Sequence, residues 1–172
     1  GYEMTLVSLI RQRVREWQQQ NYPGTTRTTR ELLAYWNRDG RERRLFFAQR
    51  EAVETIIFLI EARQDFRQGI QIPADDALKP FLRYACKMAT GCGKTTVMAM
   101  LGAWSILNKV ARRNDKRFSD VVLVVCPNVT IKGRLQELDP NNGEASLYRT
   151  RDLVPSHLMA KLRQGRVLVT NW

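Results

Sequence analysis

The sequence predicts an α/β protein: three layers built on a mostly parallel sheet, led by an N-terminal helical segment. Three observations predict it. From residue 81 onward, the stretches run strand, helix, strand, helix, helix, strand, the order of a parallel sheet with helices on its faces. Asp120-Val-Val-Leu-Val-Val-Cys126 is an unbroken apolar run, which reads as a parallel strand buried on both faces. Met88-Ala-Thr-Gly-Cys-Gly-Lys-Thr95 is a glycine-rich turn between the first strand and the first helix of that series. In such sheets the ligand sits at the C-terminal ends of the strands.

The elements follow in order. Thr5 to Gln20 reads as an amphipathic helix, with Leu6, Leu9, Ile10, Val14 and Trp17 at helical spacing and Arg11, Arg13 and Arg15 mostly off that stripe. Asn21-Tyr-Pro-Gly24 breaks it. Thr29 is the expected cap of a short helix from Arg30 to Asn37, which ends at Asp39-Gly40. The basic cluster Arg41-Glu-Arg-Arg44 reads first as a solvated turn and second as a nucleic-acid contact. Leu45 to Phe58 is a helix entered by Phe46 and Phe47, with Val53, Ile56, Ile57 and Ile60 on its buried face. Gln68 to Lys79 is a loop, and Phe81 to Lys87 is the first strand.

The helix from Thr95 to Lys109 is apolar nearly all round, so it belongs between the sheet and another layer. Gly102 inside it is costly in a helix, so close packing is expected there. Lys109 to Ser119 is a polar, basic loop before the strand at 120–126. Pro127-Asn-Val-Thr130 turns into a helix from Ile131 to Leu138, and Asp139-Pro-Asn-Asn-Gly143 is a turn. Leu147 to Val154 reads as extended, ending at Pro155. Ser156 caps a helix to Gln164, with His157 as a surface residue in its first turn. Arg166 to Trp172 is the third strand. Residues 1–44 thus form the helical segment and 45–172 the sheet domain.

The turn at 88–95 carries the chemistry. Gly91 and Gly93 lack Cβ atoms, so the backbone can take unusual dihedrals and approach an anion. With Thr90, Cys92 and Thr96 beside them, they present main-chain N–H groups of the loop and first helical turn to phosphates. Lys94 reaches the β- and γ-phosphates, and the Thr95 hydroxyl holds Mg²⁺, with Thr96 its helix-side neighbour. The pattern Gly-x-x-x-x-Gly-Lys-Ser/Thr begins with a glycine where this chain has Met88. That departure argues against a kinase-type loop.

Composition narrows the partners. The chain has 172 residues and is 44% hydrophobic, enough for one domain with a core. Lys and Arg number 28 against 17 Asp and Glu, a formal net charge of +11, which favours a polyanionic partner. No apolar run is long enough to span a membrane, and no signal-peptide pattern is present. Cys86, Cys92 and Cys126 lack paired metal spacing and suggest free thiols in a reducing, cytoplasmic compartment. A single histidine excludes a His-rich metal site.

Met-Ala-Thr-Gly-x-Gly-Lys-Thr resembles motif I of superfamily two helicases and translocases, especially the motor subunits of type I and type III restriction enzymes. The resemblance covers about residues 28 to 172. It implies a RecA-like P-loop domain that binds ATP with Mg²⁺, with Lys94 and Thr95 as the catalytic pair. Gln49, in Phe46-Phe-Ala-Gln-Arg-Glu-Ala-Val53, resembles the glutamine that reads adenine ahead of motif I. A carboxamide donates and accepts at once, matching adenine N6 and N7. Val124 to Pro140 is similar to motif Ia, which touches a nucleic-acid backbone. A helix start with Thr130, Lys132 and Arg134 suits a phosphate. The end of the third strand resembles motif Ib, with Thr170 or Asn171 meeting a bound strand. The implied partners are DNA, through its backbone, and a modification (methyltransferase) subunit.

No Asp-Glu-x-x box follows an apolar strand in these residues, and a second RecA-like domain with its arginine finger is absent. The expectation is therefore the N-terminal part of a larger motor, ending before the acidic box that grips Mg²⁺ and activates water, and without turnover on its own. The competing reading is a non-catalytic module that binds nucleotide or nucleic acid.

Overall fold

The computed structural model describes residues 2–42, 44–70, 92–125 and 131–170. The expected strand at 81–87, the loop residues 71–79 and 88–91, the turn at 127–130, and Asn171 with Trp172 lie outside the described residues. The elements are α1 (Tyr2–Gln19), α2 (Arg27–Trp36), α3 (Phe47–Glu61), a 3₁₀ turn (Gln64–Arg67), α4 (Cys92–Ala111), β1 (Val121–Val125), α5 (Ile131–Leu138), α6 (Leu147–Thr150), α7 (Met159–Leu162) and β2 (Arg166–Thr170). β1 and β2 pair in parallel, Val121 opposite Arg166 and Val125 opposite Thr170. The protein is thus an α/β mix, dominated by helices, with a two-stranded parallel sheet among the described residues.

α4 is the central rod. Val97, Ala99, Met100, Ala103, Trp104, Ile106 and Leu107 are all buried, as an all-round apolar helix requires. It touches β1 on one side and packs on α2 and α3 on another, while α1 packs on α3. α1, α2 and α3 therefore stack behind α4, and among the described residues nothing covers the far face of the sheet. Val121 is 46% exposed, Leu123 62% and Leu168 41%, with Leu123 and Leu168 side by side in register. The expectation of a strand buried on both faces is corrected here: among the described residues only the face with Val124 and Val167 is covered.

Other boundaries move for identifiable reasons. α2 is capped by Thr26, whose hydroxyl accepts from Thr29 N at 3.1 Å, so Thr29 is inside the helix. Its own hydroxyl is committed elsewhere, donating to Glu61 Oε2 at 2.5 Å. Leu147 to Val154 is not extended. It opens with the turn of helix α6, which sets the buried Tyr148 so that its hydroxyl donates to Leu138 O at 2.8 Å. Pro155, not Ser156, precedes a 3₁₀ turn that leads into α7, so the single helix expected to Gln164 is shorter and split.

A buried polar knot ties α2, α3 and α4 together. Glu61 is 3% exposed. Its Oε1 accepts from Thr26 N at 2.8 Å, and its Oε2 accepts from Thr29 Oγ1 and from Trp104 Nε1 at 2.7 Å. Asn108 Nδ2 donates to Thr29 Oγ1 at 3.0 Å, and Thr26 Oγ1 donates to Asn108 Oδ1 at 2.5 Å. A second tie joins α2 to the chain before α7: Trp36 Nε1 donates to Leu153 O at 2.8 Å, while Tyr35 and Arg38 both bond Asp152. Arg41 donates to Arg151 O at 2.8 Å. The basic turn at 41–44 is therefore partly a structural strap.

Two glycines separate tight packing from its absence. A methyl at Gly165 would overlap the Ile106 side chain and lie 2.9 Å from Asp120 O. At Gly102 a methyl would meet only Tyr148 Oη at 3.8 Å and Val122 Cγ1 at 4.0 Å, ordinary contacts. The close packing expected at Gly102 is thus found at Gly165. Gly102→Ala is expected to stabilise the protein by about 0.5–1 kcal/mol, from the helix preference alone. Gly165→Ala is expected to cost about 1–3 kcal/mol, the usual penalty of overpacking. Urea unfolding of the two variants checks both signs.

Candidate functional site

The direction of α4 against the sheet decides where its first turn lies. Ser105 Oγ donates to Ser119 O and accepts from Ser119 N, both at 2.9 Å, just ahead of β1. Ile106 meets Gly165, just ahead of β2. Four residues before Ile106 in α4, Gly102 lies against Val122, inside β1. Moving backward along α4 therefore moves forward along the strands. From Gly102 to Lys94 the helix extends about 12 Å, and from Val122 to Val125 the strand extends about 10 Å. The N-terminus of α4 thus points to the C-terminal edge of the sheet.

At that helix start, Gly93 is half-buried, Lys94 is exposed, and Thr95 and Thr96 are buried. The helix begins at Cys92, three residues before the expected start at Thr95, so Cys92, Gly93 and Lys94 belong to its first turn. Main-chain N–H groups of a first turn have no partner within the helix, and the aligned peptide dipoles give this end partial positive charge. An anion is the natural occupant. Thr90 and Gly91, the other loop residues expected to cradle phosphate, lie outside the described residues.

Thr170 is at the C-terminal end of β2, opposite Val125. α5, which starts at Ile131 and carries positions 132 and 134, packs on β2. The strand-end position Thr170 and the helix after β1 thus belong to one side of the sheet, at the end that α4 points toward. Thr130 and Asn171 lie outside the described residues. Thr95 and Thr170 are brought to the same edge by the topology alone: helix α4 runs antiparallel to two strands that are parallel to each other.

Gln49 is buried in the first turn of α3. Its Oε1 accepts from Phe46 N at 3.0 Å, the back-reaching half of a helix capping box. That bond fixes the carboxamide, leaving a second lone pair on Oε1 and the Nε2 donors for other groups. α3 and α4 pack on each other, and the Glu61–Trp104 bond joins them about three turns beyond Gln49 and Lys94. Phe46 and Phe47, at the entry of α3, are 74% and 71% exposed.

Sequence reasoning missed a second polar centre, at Glu54. It is 5% exposed and accepts from Tyr22 Oη at 2.5 Å, Gln18 Nε2 at 3.3 Å and Asn37 Nδ2 at 3.5 Å. Burial raises its pKa above the ordinary value, although these hydrogen bonds and the nearby Arg50 charge pull the other way. Tyr22 is pushed up too, by burial and by the carboxylate beside it. Its backbone sits at φ 58°, a left-handed conformation that costs a bulky residue energy. The only sequence signal was Asn21-Tyr22 in a turn; nothing in the helical spacing marked Glu54 as buried.

Among the described residues, no group of three or more His, Cys, Asp or Glu is arranged to hold a metal ion, and no helix is long and apolar enough to cross a membrane. No protein-family profile, curated protein or solved structure matches this chain.

The Glu54 environment makes stability depend on pH. Below the ordinary value of 4.5, folded and unfolded chains both hold the proton. As pH rises through the higher folded value, the unfolded chain ionises first and stability falls. Glu54→Gln removes that slope. Its unfolding free energy relative to the parent is expected to rise between about pH 4 and pH 7. Urea titrations across that range check it, and a difference that falls with pH contradicts it.

Proposed function

We propose that this chain is the ATP-binding part of an ATP-dependent DNA translocase or helicase, of the type found as motor subunits of type III-like restriction enzymes, with a RecA-like three-layer fold. The observation that carries the reading is the start of α4: Gly93-Lys94-Thr95 in a first helical turn aimed at the C-terminal edge of a parallel sheet. That is where an α/β sheet takes a phosphate. Lys94 neutralises the β- and γ-phosphates. The residues present fit Mg²⁺, since Thr95 supplies a hydroxyl oxygen in the turn where the phosphates bind, and the ion supplies charge neutralisation of the transferred group. Gln49 pairs with the adenine edge, held by its bond to Phe46 N. DNA runs by its backbone past Thr130, Lys132, Arg134, Thr170 and Asn171, without base contacts that would select a sequence.

Two measurements test this. Lys94→Ala is expected to weaken ATP binding by about 1.5–3 kcal/mol, the worth of a lost charge-assisted contact. Because Lys94 is exposed, the melting temperature stays put. Calorimetry with equal affinity for parent and variant defeats the phosphate-site reading. The second concerns the base. Guanine presents O6 where adenine presents an amino group, so ATP is expected to outcompete GTP on the parent, and the preference is expected to vanish in Gln49→Ala. Equal competition on the parent removes the adenine role.

A further inference from the structure

α1 and α3 lie side by side and leave between them an open groove of about 870 Å³, within the size range of ligand sites. Its walls are unusual in three ways. Phe47 lines it with a ring that is 71% exposed, although an aromatic ring gains most from leaving water. Arg15, on the α1 wall, has no partner among the described residues. Arg50, on the α3 wall, bonds Asn37 Oδ1 through one terminal nitrogen at 3.0 Å. Its Nε is shielded from water and has no acceptor.

The remaining charges leave the Arg15 guanidinium uncompensated. Arg11 is paired with Glu51 at 3.2 Å. Glu54 spends its oxygens on Tyr22, Gln18 and Asn37, and it lies close enough to Arg50 for their charges to interact. What is left facing the groove is the Arg15 fork, the second terminal nitrogen of Arg50 and one flat apolar ring. Guanidinium forks match phosphate oxygens. An exposed ring beside them is a stacking platform for a base, and it needs a base with a free face, which a duplex does not offer. The formal charge of +11 adds long-range attraction for a polyanion.

We propose that the α1–α3 groove binds a nucleotide unit of a single nucleic-acid strand, its phosphate held by Arg15 and Arg50 and its base stacked on Phe47. This surface is separate from the sheet edge and does not rest on the reading of α4 as an ATP site. Binding here is indifferent to base identity, because every base has a stacking face.

The test is fluorescence anisotropy of the 172-residue chain with a labelled oligo-dT strand. Inorganic phosphate, dTMP and the same strand in a dT·dA duplex serve as competitors. Arg15→Ala and Phe47→Ala are each expected to weaken strand binding about tenfold. Phe47→Leu, apolar but not flat, is expected to match Phe47→Ala, while Arg15→Lys recovers part of the loss. Both positions are exposed, so circular dichroism and melting temperature stay at parent values. Arg163→Ala, an exposed charge in the cap of α7, is the control for loss of charge alone. The duplex, dTMP and phosphate are expected to compete weakly. No strand binding by the parent overturns the proposal, as do Arg15 and Phe47 losses no larger than that of Arg163→Ala. Competition by dTMP equal to that of the strand assigns the groove to a free nucleotide and overturns the strand as its occupant.

Discussion

Much of this structure depends on one dehydrated carboxylate. Glu61 has no cation bonded to it; it is held by three donors, Thr26 N, Thr29 Oγ1 and Trp104 Nε1. Bonds to a charged group are worth about 1.5–3 kcal/mol each, and taking a carboxylate out of water costs several kcal/mol. The two sides are of similar size. The net contribution to stability is therefore small, while the geometric demand is strict: any other docking of α2 or α4 on α3 leaves a buried charge without its donors. That constraint fixes the rotation of α4 about its own axis, and the rotation decides which residues of its first turn meet the sheet edge.

The sequence made α1, α4, α5 and the two strands legible, because each is a run whose period or apolarity admits one reading. α5 begins and ends where the spacing put it, at Ile131 and Leu138. What escaped were choices between chemically equivalent residues. Thr25, Thr26, Thr28 and Thr29 can all cap a helix; Thr26 does because Thr29 Oγ1 is taken by Glu61, 32 residues away. Glu54 and Glu61 sit among apolar neighbours in α3, and helical spacing does not say that a glutamate is inside. The apolar run of β1 predicted two covered faces, yet α2 and α3 pack behind α4 and not across the sheet.

The placement of the candidate site was not legible. Gly-Lys-Thr and the helix after it raised the expectation of an anion site. The edge of the sheet that the helix faces could not be read from spacing. It comes from small contacts in the other half of α4: Ser105 with Ser119, Gly102 with Val122, and Ile106 with Gly165. Each is an accident of size. Gly165 and Ser105 let α4 approach the strands at the level of Asp120, so small side chains far from the helix start decide what its first turn meets.

The tie from Trp36 to Leu153 has a consequence for the making of the protein. Its partners are 117 residues apart. A ribosome adds about 5–20 residues per second, so roughly 6–23 s pass between synthesis of the indole and synthesis of its acceptor. Through that interval α2 lacks the bonds that Asp152 and Leu153 give it, while its contacts to α3 and α4 become available one after the other. α2 is thus made well before the segment that locks it.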